Sequence, residues 1–385
     1  MKKRNPLAPL NPPLLPPSAR SRAALGLTAA AARGAFQLQV CTHCDAVQYP
    51  PRDVCHACLC DALVWRAVPD GGRVLAETTV RISADPYFRT KAPWRVGMVA
   101  LDCGPSVIAH LHADMGAGQR VRMSARLDKS GQAVMLALPE GSTDLSDDRQ
   151  LRELACDPRG RRVLVTDIRS PFGCAISRAM ADAGAQVLDG IGLDVTDTEN
   201  VRRAAGAYGG RVEILVNTTL HIRPGGVIGR GDVVLAHEEI ETTQLGLMRL
   251  AQSFGPALRG RGAEKPNAAC AWVNIFSVYG LIPDAAFGAA SAVHAAALSL
   301  SRTLRAELRA GGIRVIDVFV GPLDDVWHEA QPPPKVSPSQ LAAAVVRALR
   351  DGVEEVAVGD VAQDVLARYR DDPKVLEREL SGRPQ

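Results

Sequence analysis

The sequence predicts a multidomain chain, a small β domain built on a metal knuckle followed by a doubly wound parallel α/β domain. Three observations carry this reading. Four cysteines fall in the pattern C-x2-C-x10-C-x2-C, as Cys41, Cys44, Cys55 and Cys58, and five short alternating stretches follow them. From about residue 160, buried strand patterns then alternate with helical ones. At 385 residues the chain exceeds one ordinary core, and domain sizes of roughly 100–200 residues give two domains plus tails.

The first 35 residues hold six positive residues, six prolines and no acid, too little apolar surface to order themselves. Within this stretch (1–34), residues 1–22 read as a disordered basic arm. Residues 23–32, AALGLTAAAA, read as a short helix packing on the next domain rather than a signal peptide, being mostly alanine behind a long basic lead. No apolar run approaches the roughly 20 residues that span a bilayer, so a soluble protein is expected, with no membrane partner. A net charge of +3 argues against nucleic acid. Nine cysteines, four at metal spacing and the rest scattered, point to a reducing compartment, the cytoplasm.

In the segment 35–67 each C-x2-C pair forms a tight knuckle that turns two thiolates toward one point. Two knuckles complete a tetrahedral S4 shell for zinc, with iron possible at the same geometry. With no position left open, such a site is structural. His43, His56 and Cys60, inside or beside the knuckles, read as exposed or packing residues. The stretches 72–82, 95–103, 106–113, 120–128 and 133–140 are five short strands between turns, which fit a small closed barrel of the OB type over 68–140. Nucleic-acid binding on that barrel would need strand-borne aromatics, and residues 95–140 carry none; Tyr87, Phe88 and Trp94 sit in the loop 85–94 instead. Residues 141–159 read as a polar linker.

The order FQLQVCTHC, YPPRDVCHAC, GGRVLAETTV, VALDCG, AHLHADMGAGQRVRM resembles the DUF35 family of rubredoxin-like zinc ribbon plus OB-fold proteins, over about residues 35–140. The resemblance implies association with acyl-CoA and with thiolase-like enzymes. On that footing Arg89, Lys91 and Arg95 become candidates for CoA phosphate.

The α/β part reads as strands at 161–166, 185–189, 212–217, 270–276 and 313–320, helices at 177–184, about 236–259 and 288–310, and a last helix and strand within 338–359. Its ligand crevice is expected at the carboxyl ends of the strands. Through VLVTDIRSPFGCAIS, LDVTD, ILVN, VNIFSVYG and LRAELRAGGIRVIDVFVGP, the span 160–370 resembles a short-chain dehydrogenase/reductase, ahead of a charged tail at 371–385.

The departures from that family lie at its working positions. The phosphate loop reads Thr166 to Gly173 and keeps only Gly173 of its glycines; Asp167 adds negative charge, Pro171 removes an amide donor, and Arg169 offers a cation to phosphate. The family's serine matches Ser277, but Phe287 and Ser291 stand where it has its tyrosine acid and its lysine, and Thr243 replaces its asparagine. Tyr279 is a stand-in acid on the strand edge. Asp194 and Val195 match the family's adenine-contacting pair, Asp189 ends the second strand where a ribose-binding acid can sit, and Asn217 opens Asn217-Thr218-Thr219-Leu220 in place of its N-N-A-G, a further cofactor-site candidate. The losses disfavour NAD(P) and leave no confident catalytic residue. The expected function is therefore a homodimeric accessory subunit of CoA-thioester metabolism working with a thiolase-like acyltransferase or aldolase. An NAD(P)-dependent reductase of acyl-CoA thioesters is the alternative, and nucleic-acid binding by the OB face the third reading.

Overall fold

The computed structural model describes residues 15–141, 143–190, 192–230, 232–262 and 268–381, which form two compact units divided between Ala155 and Cys156. Among these residues no helix is long and apolar enough to cross a membrane.

In the first unit, helix α1 (Leu25–Ala32) precedes a three-stranded antiparallel sheet of β1 (Gln37–Cys41), β2 (Val47–Gln48) and β3 (Leu63–Ala67), in the order β2-β1-β3. Gly26 of α1 lies so near the indole of Trp65 that a Cβ there would sit 2.0 Å from the ring nitrogen, which ties the helix to the ribbon. Five strands then close a barrel in the order β4-β5-β6-β8-β7: β4 (Gly71–Val80), β5 (Trp94–Leu101), β6 (Ser106–Leu111), β7 (Arg120–Leu127) and β8 (Ala133–Leu138). Alternation puts Val74, Val99, Val107, Leu111, Met123 and Leu127 inside.

Four expectations for this unit need correction. Residues 1–14 of the arm lie outside the described residues, but 15–22 are placed: Pro16 is buried, its carbonyl accepts the Ser130 hydroxyl at 2.5 Å, and Arg20 lies 3.8 Å from Asp128. The loop 85–94 contains a helix, α2 (Pro86–Lys91), because Asp85 accepts the Tyr87 and Phe88 amides (2.9 and 3.2 Å) and Pro86 supplies the first-turn φ. The linker does not hang free. Leu145, Leu151 and Ala155 bury themselves against Leu136 and Leu138, and Asp148 accepts the Ala113, Gln150 and Leu151 amides (2.8, 2.7 and 3.0 Å). The boundary consequently falls at 155 rather than 159.

The second unit is a six-stranded, all-parallel sheet in the order β10-β9-β11-β12-β13-β14, from β9 (Arg162–Val165), β10 (Gln186–Val187), β11 (Ile214–Asn217), β12 (Ala271–Ser277), β13 (Arg314–Val320) and β14 (Glu355–Val358). Every residue of β11, β12 and β13 is buried, as helices on both faces require. Those helices are α3 (Pro171–Asp182), α4 (Thr198–Tyr208), α5 (Val234–Glu239), α6 (Gly246–Arg261), α7 (Gly288–Arg309), α8 (Pro338–Asp351), α9 (Asp360–Asp371) and α10 (Pro373–Ser381). The helix expected at 177–184 starts earlier, where Ser170 caps it and Pro171 opens it, and β10 is only two residues long. Within the stretch read as a charged tail, Pro373–Ser381 form α10, amphipathic, with Leu376 and Leu380 in the core, while 382–385 lie outside the described residues. The chain runs outward in both directions from the β9/β11 neighbours, so the crevice expected of this topology lies at their carboxyl ends.

Candidate functional site

The metal centre is built by two matching knuckles. In each, the residue after the second cysteine takes a left-handed backbone, Asp45 (φ 54°) and Leu59 (φ 63°), and its amide closes the turn onto the first cysteine's carbonyl at 2.9 and 3.0 Å. The His43 and Ala57 amides point at the Cys41 and Cys55 sulfurs, 3.4 Å away in both cases. The sulfurs of Cys41, Cys44, Cys55 and Cys58 all lie within 4.8 Å of one another, with Cys41–Cys58 and Cys44–Cys55 at 3.6 Å. A tetrahedral shell with Zn–S near 2.3 Å has edges of about 3.8 Å, so the four thiols fit zinc. His43 and His56 are exposed, as expected of them. Cys60 is more than a packing residue: its sulfur is 3.2 Å from that of Cys41 and 3.3 Å from that of Cys58.

The candidate CoA contacts lie on and after α2. Arg89 is exposed and donates to the Ala84 and Ser83 carbonyls (2.9 and 3.3 Å). Lys91 pairs with Glu153 at 2.5 Å and lies over the Tyr87 ring, while Arg95 pairs with Glu77 and donates to the Ala113 carbonyl at 2.8 Å. Elsewhere in this unit, a cavity of about 590 Å³ opens between Tyr49, Pro50, Arg52, His56, Cys103 and Ser106.

In the second unit, the turn after β9 folds onto its own helix. Ser170 Oγ accepts the Gly173 amide at 3.0 Å and donates to the Asp167 carbonyl at 2.9 Å. A Cβ on Gly173 would stand 1.7 Å from that same carbonyl oxygen, so glycine is needed there for packing within the turn. With Pro171 lacking an amide hydrogen and the Gly173 amide already bonded, the helix start offers an anion less than such a turn normally does. Arg169 is exposed.

The other expected nucleotide positions are dispersed. Asp189 is exposed beside a 220 Å³ cavity with Gly190, Asn200, Arg203 and Tyr208. Asp194 caps a turn by accepting the Thr196 amide and hydroxyl (2.9 and 2.7 Å), which hold its carboxyl below the usual range. Val195 packs against Gly246, and Asn217 is buried, where it accepts from Thr219 and donates to Asn274 at 3.3 Å.

The positions that carry catalysis in dehydrogenases of this kind converge here, but as a packed cluster. Phe287 is 1% exposed and lies between Tyr279 (centroids 5.7 Å apart, planes 12°) and His328 (5.3 Å, 29°). Ser277 Oγ accepts the Tyr279 amide at 3.2 Å, and Ser291 Oγ accepts the Asp284 amide at 3.4 Å. Thr243 sits in a π-helical segment, Ile240–Leu245, between α5 and α6, with its hydroxyl buried and unpartnered among the described residues.

Two histidines escaped the sequence reading. His328 Nδ1 lies 2.7 Å from the Asp325 carboxylate. Fully buried His294 accepts the Ser277 amide at Nδ1 (3.3 Å) and places Nε2 3.3 Å from the His221 carbonyl. One ring nitrogen faces a donor and the other an acceptor, so the ring is neutral with its proton on Nε2. Burial pushes it down to about 4 from the ordinary 6.5. Helical spacing was the available signal for His294, three residues after Ser291; nothing local marked His328.

Two outcomes follow from this geometry. One zinc per chain should be found by elemental analysis, and Cys55→Ser should lose both the metal and the ribbon's near-UV signal, because binding of a structural metal is itself folding free energy. A metal-free but folded protein would contradict this. The second outcome concerns His294. Between about pH 6.5 and pH 4 the unfolded chain binds a proton that the folded one refuses, so the wild type loses stability relative to His294→Gln as pH falls, by up to about 3 kcal/mol. Denaturant unfolding of both proteins across that range reads the difference, from which groups common to both cancel; a pH-independent difference would refute the neutral assignment.

Comparison with known families places the profile described as "ChsH2, rubredoxin-like zinc ribbon domain" on residues 28–64, "ChsH2, C-terminal OB-fold domain" on 65–126 and "short chain dehydrogenase" on 156–331. No curated protein matches the chain. Among solved structures, a short chain dehydrogenase from Burkholderia cenocepacia J2315 in complex with NADP is 28% identical over 59% of this chain and 100% of its own, with a TM-score of 0.54. A short-chain dehydrogenase from Streptomyces avermitilis is 26% identical over 58% of this chain and 96% of its own, with a TM-score of 0.49. The chain thus joins a DUF35-type zinc ribbon and OB-fold module to a short-chain dehydrogenase domain.

Proposed function

We propose that this protein is an accessory subunit of CoA-thioester metabolism, whose dehydrogenase domain has given up redox chemistry for docking and assembly. The observation that carries the proposal is the stack at Phe287. Proton transfer to a carbonyl needs a donor within hydrogen-bond reach, and the place of that donor is filled by a hydrocarbon ring wedged between Tyr279 and His328. Ser291 brings no positive charge to lower a neighbour's pKa or hold a ribose. The self-bonded turn at Asp167–Gly173 does not suit a pyrophosphate.

The DUF35-type module supports the CoA assignment, and its 590 Å³ cavity lies in the size range of small-molecule pockets. Since Lys91 and Arg95 are neutralised by Glu153 and Glu77, a phosphate contact on α2 rests on Arg89. The catalytic partner is a thiolase-like acyltransferase or aldolase.

The reductase alternative draws on Tyr279, which lies over Phe287. Spectrophotometric assays with NADH or NADPH and a 3-oxoacyl-CoA decide between the readings. General acid/base catalysis supplies about 10²–10⁴-fold, and its loss should leave turnover at background. Robust turnover that Tyr279→Phe abolishes would establish the reductase instead. Purification of the native complex should yield a partner with thiolytic or aldol activity on acyl-CoA.

Assembly is proposed through α6 and α7. Ala292 and Ala295 are exposed on α7 and Met248 is exposed on α6, which leaves a face of small residues for a two-fold axis. Light scattering should report a dimer that Ala292→Arg converts to a zinc-loaded monomer; a monomeric wild type at micromolar concentration would end this part of the proposal.

A further inference from the structure

We propose that Cys60 is a reserve ligand of the metal centre, able to replace Cys41 or Cys58 but neither Cys44 nor Cys55. The proposal rests on the four-thiolate reading of that centre and goes beyond it. The sulfur of Cys60 is 3.2 Å from that of Cys41 and 3.3 Å from that of Cys58, and those two are 3.6 Å apart. These three sulfurs form a triangle close in size to one face of a zinc–thiolate tetrahedron, whose edges are about 3.8 Å. Cys60 nonetheless stands outside the shell, beside its Cys41–Cys58 edge, since its sulfur is not one of the four that all lie within 4.8 Å of one another. Among the described residues it makes no such contact with Cys44 or Cys55, which pair with each other on the opposite edge at 3.6 Å.

The backbone holds Cys60 in this position. Leu59, in the left-handed region, turns the chain back toward the knuckle, and the Cys55 amide donates to the Cys60 carbonyl at 2.8 Å. A change between staggered rotamers sweeps a thiol sulfur through roughly 3 Å. That is the distance separating Cys60 from either neighbour, so a vertex vacated at Cys41 or Cys58 can be filled without opening the knuckle. A vertex vacated at Cys44 or Cys55 would lie on the opposite edge of the sulfur cluster, out of reach. The centre would thus tolerate the loss of a ligand on one side only.

The test uses the full chain and reads the metal rather than any activity. Wild type, Cys58→Ser, Cys44→Ser and Cys58→Ser/Cys60→Ser are passed through a desalting column with a chelator and assayed for zinc. Their cobalt-substituted forms are compared by the sulfur-to-metal charge-transfer band. Cys58→Ser should keep its zinc and the full wild-type band, whereas Cys44→Ser and the double variant lose the metal or retain a band weakened by one ligand. Equal losses in Cys58→Ser and the double variant, or equal retention in Cys58→Ser and Cys44→Ser, would overturn the reserve role while leaving the four-thiolate centre intact. A wild type without metal would overturn both. Should Cys58→Ser fail to fold, zinc transfer to a chromophoric chelator from the wild type and from Cys60→Ser decides: faster transfer from Cys60→Ser supports the proposal, and equal rates refute it.

Discussion

Asp317 on strand β13 is completely buried, and a buried carboxylate is tolerated only when it is paired and hydrogen-bonded. Both of its partners come from one helix. Ser301 Oγ donates to it at 2.5 Å and Arg305 at 2.6 Å, while Ser301 in turn accepts from Asn274 on β12 at 2.8 Å. Even so paired, burial raises the Asp317 carboxyl to about 6. Asn217, Asn274 and Asp317 are register partners on adjacent strands, so a polar row runs across the sheet beneath α7. Slipping the helix by one residue would leave the Asp317 carboxylate and the Asn274 amide nitrogen without their partners on α7. Phe287, Ser291, His294, Leu298, Ser301 and Arg305 follow one another at steps of four and three, which is one face of a helix. The ion pair at the far end of α7 therefore decides which side chains its first turns press onto the crevice.

What those turns press there is a closed cluster. The rings of Tyr279, Phe287 and His328 stack, His294 is held uncharged, and Ser277 and Ser291 spend their oxygens on backbone amides. A dehydrogenase centre asks for the reverse, a charged group beside an ionisable hydroxyl with room for substrate. Among the described residues the buried Thr243 hydroxyl has no hydrogen-bond partner, and it sits where the helix widens into a π turn. In the first unit the same economy of core holds by other means. The ribbon has short strands and few large apolar residues, and four thiolates around a metal supply the cohesion that such a small element lacks.

Features set by local spacing were legible in the sequence: the cysteine knuckles, the alternating barrel strands, the α/β order and the replacements at Thr243, Phe287 and Ser291. Helix α2 was legible too, since Asp85 followed by Pro86 is a cap and a first-turn proline, but its aromatic content drew it into a loop reading. The packing of residues 144–155 was not, because Leu145 and Leu151 lie in an acid-rich stretch whose composition imitates a linker. The roles of His328 and Cys60 depend on distances between segments remote in sequence or turned by a left-handed residue, and no window of residues encodes them. Of the expected nucleotide-site residues, Arg169, Asp189, Asp194, Val195 and Asn217 occupy separate environments, because a motif match records position and not which way a side chain is already committed.

We propose that the dehydrogenase domain no longer receives a dinucleotide. Hydrogen–deuterium exchange of the full chain with and without saturating NADPH tests it most directly. The account predicts unchanged protection in the turn from Asp167 to Gly173 and in the first turns of α7; slowed exchange confined to those two segments would contradict it.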